Sequence, residues 1–236
     1  MNITIADAII FLFIMLCGVI GFKDGVIKRL GTVVGLILVV VIAFNLKGKI
    51  SFYFYENLPF FNFGGVFKGV QALNIIFYEM LAFVIIASVL MIVYNILLAI
   101  TGLIEKVLKA TVILSIPSKI LGFVVGIIEG YIWSYIILFI MTLPFFKVPG
   151  LNDSQMVDYI LQETPVLSKY SEGTIQISKE VYDVVVNRED KTNEQINEEA
   201  LRLMLKHKVI TVSSAEKLID KNKIEVEDKA FLEEYK

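Results

Sequence analysis

Apolar residues dominate roughly the first three fifths of the chain with few charged interruptions, and a charged tail with apolar positions every three to four residues follows. A bilayer core of about 30 Å is crossed by about 20 apolar residues in helical form, because each residue rises about 1.5 Å. Four stretches meet that length. The pattern predicts spans from Ile3 to Phe22, with Asp7 as its only charge, from about Leu30 to Leu46, from Met80 to Ile104, and from Ile120 to Phe146. The last carries Glu129, and Pro144 bends or ends it, since its ring clashes with the preceding turn and it has no amide to donate.

The connections are unusual. Between Lys47 and Asn74, Phe52, Tyr53, Phe54, Tyr55, Phe60, Phe61, Phe63 and Phe67 crowd around Pro59, Gly64 and Gly65. Aromatic rings favour the headgroup level, so this loop reads as short interfacial or re-entrant pieces lying on the bundle. Glu105 to Lys119 alternates lysines with aliphatics and reads as an amphipathic surface helix that ends before Pro117. Beyond Pro149 and Gly150 the chain becomes a helical tail. It has caps at Asp153 or Ser154, a Thr192/Gln195 pair in capping-box spacing, an apolar face at Ile196, Ala200, Leu203 and Met204, and another beginning at Leu218 and Ile219 after Ser213 and Ser214. Asn187 to Glu194 is nearly all charged or amide side chains, so the tail is expected to be a loose array with a mobile linker. The division is a membrane domain of residues 1–149 and an acidic soluble tail of 150–236, all-α throughout.

Composition sharpens this picture. The chain has 236 residues, 56% of them hydrophobic, and a mean hydropathy of +0.72, too apolar for one water-soluble core of that size. Residues 1–149 hold 10 basic and 6 acidic side chains, whereas the tail holds 12 and 18. An acidic tail disfavours nucleic-acid binding, and a lone Cys17 excludes a disulfide scaffold. Met1 to Phe22 has no basic start, so the first helix reads as retained rather than as a cleaved signal. Residues 23–29 and 105–119, which share a side, hold six Lys and Arg against four at Lys47, Lys49, Lys68 and Lys147. The positive-inside rule therefore puts both termini outside the cytoplasm.

Small residues recur four apart in three stripes: Gly21 and Gly25, Gly31 and Gly35, and Gly122, Gly126, Gly130 and Ser134. In lipid such stripes let helix backbones approach closely. They serve either packing within the bundle or a surface for self-association or partner docking. Glu129 falls on the Gly122 face, pointing into packing, where a carboxyl group needs a partner or a proton. It reads either as a proton-sensitive or partner-charge contact, or as a carboxyl satisfied by a lysine, hydroxyl or water. Glu79 and Asp7 lie near expected span ends, within reach of water, and Asp7 also sits where a helix dipole favours an anion. Ser88, Asn95 and Gly102 repeat every seven residues and suggest an interhelical polar seam.

Candidate chemistry is sparse. The chain has one histidine, His207, and one cysteine, Cys17, with no phosphate-binding glycine loop and no metal-ligand cluster in the sequence. No catalytic residue, metal or cofactor is assigned, and the expectation is a non-enzyme. His207 reads as a solvated helix residue and Cys17 as a small core residue.

Four short spans, the turn Gly21, Phe22, Lys23 to Gly25, and the run Lys119, Leu121, Gly122 to Gly126 resemble the colicin V production (CvpA) family over about residues 2–146. Asp7 matches that family's acidic residue at the start of the first helix. Asp24 stands where the family usually has a second basic residue, and Glu129 where a basic or neutral one is common. The resemblance implies a multi-pass protein of the bacterial cytoplasmic (inner) membrane involved in toxin production or export and in envelope homeostasis, and the reading adopted is a scaffold or accessory rather than an enzyme. Partners implied are the bilayer and a homo-oligomer or an envelope protein. A small channel or transport subunit, with Glu129, Ser88 and Asn95 lining a polar path, is the alternative.

Overall fold

The computed structural model describes residues 4–100, 115–141, 154–188 and 190–236, and among them the regular elements are helical. In chain order they are α1 (Ile5–Asp24), α2 (Val26–Asn57), a 3-10 turn (Gly65–Phe67), α3 (Leu73–Ile100) and α4 (Ser115–Met141). The tail contributes α5 (Gln155–Glu163), α6 (Leu167–Val186), α7 (Asn193–Lys206), α8 (Val212–Asp220) and a closing 3-10 turn (Lys229–Tyr235). The first four α-helices are long and apolar enough to cross a membrane, which makes this a multi-pass membrane protein of all-α class.

Span existence was legible, but several bounds differ. α2 has 32 residues, about 48 Å at 1.5 Å per residue, so the stretch expected to be a loop from Lys47 is helical as far as Asn57. α3 begins at Leu73 rather than Met80, ahead of the buried Glu79. The surface helix expected over Glu105 to Lys119 lies outside the described residues up to 114. From Ser115 onward its residues belong to α4, where Pro117 sits in the first turn, whose amides lack intrahelical acceptors in any case.

The chain forms two compact units, and the expected boundary at 149/150 lies outside the described residues. One unit comprises residues 4–43, 86–100, 115–141 and 154–170. Its helices bury Ile10, Ile14, Leu36, Val39, Val125 and Ile132, yet also expose Ile9, Leu12, Leu16, Val34, Leu38, Val124 and Ile128. Apolar residues inside and out are what a lipid solvent permits, since no polar outer face is needed there.

The other unit comprises residues 44–85, 171–188 and 190–236. Its core joins Tyr55, Phe67, Leu73, Ile76 and Tyr78 to Ile177, Val181, Ile196, Leu201, Met204, Leu218 and Phe231. The tail beyond 171 is therefore packed, not a loose array. The expected face at Ile196, Ala200 and Met204 is fully buried, with Leu203 partly so, and it is covered by the chain's own aromatic segment. Sequence periodicity showed faces in need of a cover without showing what covers them. Local stops were clear: Thr192 and Gln195 form the capping box, Ser154 caps α5, and Thr211 caps α8. α7 and α8 each end in a Schellman arrangement, with Lys208 at φ 57° and Asn222 at φ 52°. There Val209 N–H donates to the Met204 carbonyl at 2.8 Å and Lys223 N–H to that of Leu218 at 2.9 Å.

Candidate functional site

Two of the three glycine stripes form one antiparallel seam between α1 and α4. A Cβ added at Gly122 would run into the Gly21 carbonyl oxygen and lie 2.9 Å from Gly25 Cα. One at Gly126 would meet the Cys17 carbonyl oxygen and sit 3.0 Å from Gly21 Cα, and one at Gly130 would be 2.7 Å from Cys17 Cβ. Ser134 ends the stripe, donating at 2.8 Å to the Gly130 carbonyl. Backbones this close gain dispersion over many atoms at once, and any larger residue forces them apart. The stripe is thus filled by the chain's own first helix, and Cys17 contributes backbone to it. Gly31 and Gly35 do a different job on α2. The Tyr94 ring of α3 lies over Gly35, where a Cβ would run into it, and its hydroxyl donates to the Gly31 carbonyl at 2.6 Å.

Next to the seam, Arg29 at the start of α2 turns inward and donates to Glu129 at 2.5 Å and to Asp24 at 2.6 Å. Lys28 adds a second contact to Asp24 at 3.1 Å. Glu129 is 6% exposed, so its compensation is an arginine rather than the lysine, hydroxyl or water that its position suggested. The two positions that depart from the family pattern, Asp24 and Glu129, converge on one guanidinium. Arginine suits this, because its charge is fixed and its planar fork serves two carboxylates at once. Thr4 caps α1 and Asp7 completes the capping box: Asp7 accepts from the Thr4 amide at 2.8 Å, while the Thr4 hydroxyl accepts from the Asp7 amide. Asp7 also accepts from the Ser154 hydroxyl.

The second unit holds its own charge pair. Glu79 is buried and accepts from Lys47 Nζ at 2.5 Å, and Lys47 also donates to Thr174 of α6 at 3.0 Å. Glu79 is therefore not at a wet span end, as its sequence position implied. Two tail side chains close the helix ends that flank residues 58–72. Lys223 Nζ donates to the carbonyls of Tyr55, Glu56 and Leu58 at 2.9, 2.8 and 2.9 Å, satisfying acceptors at the C-terminus of α2 and placing a cation at its negative end. Asn197, fully buried on α7, accepts from the Ala72 amide at 3.1 Å just before α3 and donates to Gln71 Oε1 at 2.9 Å. Asn74 binds both backbone groups of Phe61, and the Tyr78 hydroxyl reaches the Pro59 carbonyl at 2.5 Å. His207 is not freely solvated: it caps α7, and its Nε2 lies 2.9 Å from Glu180.

Ser88 and Asn95 are not brought to Glu129. Both are exposed on α3, and Gly102, the third residue of the expected seam, lies outside the described residues. The aromatic segment, read as interfacial pieces, spends Tyr55 and Phe67 on the intramolecular core, leaving Tyr53 and Phe61 exposed. Sequence reading missed Arg29, Lys47, Tyr94, Asn197 and Lys223. Arg29, five residues after Asp24 beside a buried acid, carried some signal. The partners of Asn197 and Lys223 are more than a hundred residues away in sequence, beyond any local pattern.

Among the described residues no group of His, Cys, Asp and Glu is arranged to hold a metal ion. The arrangement fixes helices against one another. A family model described as Colicin V production protein matches residues 6–165. No curated protein and no solved structure matches the chain.

Proposed function

Because the chain belongs to the Colicin V production protein family, matched over residues 6–165, we propose that it is a non-enzymatic accessory or scaffold of the bacterial cytoplasmic membrane. It supports production and secretion of a toxin-like peptide and, with that, envelope homeostasis. What carries this reading is how the polar inventory is used: Glu129 is held by Arg29, Glu79 by Lys47, and the glycine seam by α1. Groups committed to holding helices are not free to turn over a substrate. The channel alternative is the weaker reading, because Glu129 is buried in an ion pair while Ser88 and Asn95 face outward on α3. Surfaces are what remain for partners, including the charged exterior of α7 and α8 and the exposed Tyr53 and Phe61.

The test uses a strain that makes a colicin V-type toxin and lacks this protein, with secreted toxin as the readout. On the scaffold account, removing the protein lowers secretion, and the uncharged pair R29Q/E129Q restores it. Failure of that pair despite normal insertion supports proton-coupled transport instead, and unchanged secretion in the deletion strain removes the role altogether. The lysine and arginine balance supports a tail outside the cytoplasm. Paired reporters at Lys236 check that side, and a tail found inside contradicts it.

A further inference from the structure

α3 is the span least covered by the rest of the chain: 11% of its most apolar 18 residues are buried, against 50% in α4. On its open side Ser88, Ile92, Asn95 and Ala99 are all exposed and follow one another at steps of four, three and four. That is the spacing of a left-handed helix-pair seam. Lipid covers Ile92 and Ala99 well, but it offers no hydrogen bond to a carboxamide, whose exposure to hydrocarbon is unfavourable. An asparagine carries both a donor and an acceptor. Two copies inserted in the same orientation and related by a two-fold axis place Asn95 against Asn95, so each amide can donate to the other. The occupant that satisfies this residue without further assumption is a second copy of the same helix. Small Ser88 and Ala99 on either side allow close approach, and a single asparagine in such a seam fixes its register.

We propose that α3 is a homotypic dimer seam in the membrane, centred on Asn95 with Ser88 and Ile92 beside it. This holds whether or not the chain serves secretion. Position 88 is about 140° around the helix from Val93 and about 180° from Leu97, both of which are also exposed. Single-cysteine variants S88C, I92C, V93C and L97C, each in a C17A background, are oxidised in native membranes. Cross-linked dimers are expected at 88 and 92 and not at 93 or 97. Adding Asn95→Leu weakens the self-association about three- to thirty-fold, the range expected for interhelical hydrogen bonds in lipid. Because Cys17 lies on the glycine seam, the native chain and N95L are also compared by single-molecule subunit counting in bilayers, where N95L shifts dimers to monomers. Equal cross-linking at all four positions, cross-links only to another protein, a monomeric native chain, or an N95L variant that dimerises normally overturns the proposal.

Discussion

In the unit that contains α1 and α4, helices meet backbone to backbone, with Gly21, Gly122, Gly126 and Gly130 leaving no room for a Cβ. In the unit built on residues 44–85 and 171–236, helices meet through large side chains, with Tyr78, Phe67, Leu201 and Met204 interlocked and charged residues outside. Each kind of contact is what one solvent favours. Lipid tails are as apolar as leucine, so burying leucine against leucine gains little there, and close contact must supply the attraction. Water repels apolar surface, so burying it is itself the drive. Each unit also neutralises one buried acid, Glu129 with an arginine and Glu79 with a lysine.

The largest effect expected is from Gly126→Leu, whose side chain would collide with the α1 backbone at Cys17. It separates α1 from α4, seen as loss of protease resistance and thermal stability in detergent, while the core around Met204 stays protected. Normal stability in that variant would mean that the seam is not a contact within the chain. Next is Lys47→Met, which leaves Glu79 buried without its cation and costs about 3–5 kcal/mol. The apolar pair K47M/E79L recovers most of this in denaturant titrations, whereas an additive double variant would show that the two do not act as a pair. Met204→Ala empties part of the second core and costs about 2–5 kcal/mol, a loss confined to the tail unit when exchange is followed by segment.

The smallest effect concerns pH. Burial opposes ionisation of Glu180, but the hydrogen bonds from Gln176 and His207 prevail and hold its carboxyl below the ordinary range. A carboxyl depressed in the folded state contributes stability above its unfolded value, about 4.3, and loses it as pH falls through the folded value. Stability of the tail unit should therefore drop slightly in acid, and Glu180→Gln should flatten that part of the profile. An unchanged slope would show that the contact with His207 does not form in solution.

How far the sequence could be read differed along the same line. The four apolar spans, the Thr192 capping box and the burial of Glu129 were plain, because length, local spacing and helical phase determine them. The cover of the Ile196, Ala200 and Met204 face was not, since it comes from Tyr55, Phe67 and Tyr78 far upstream. The aromatic run from Phe52 looked like a membrane-interface loop because rings suit both a headgroup layer and a protein core. The burial of Tyr55 and Phe67 and the long-range bonds of Lys223 and Asn197 distinguish the two.

The tail is one folded body with the segment between α2 and α3, and hydrogen exchange on the full chain in lipid discs tests this directly. Slow exchange is expected in Asn193–Lys206 and at the start of α3 in the native protein. Asn197→Leu should raise both together and leave Ile5–Asp24 unchanged. Fast exchange of Asn193–Lys206 in the native chain, or a variant in which the two segments respond independently, would contradict it.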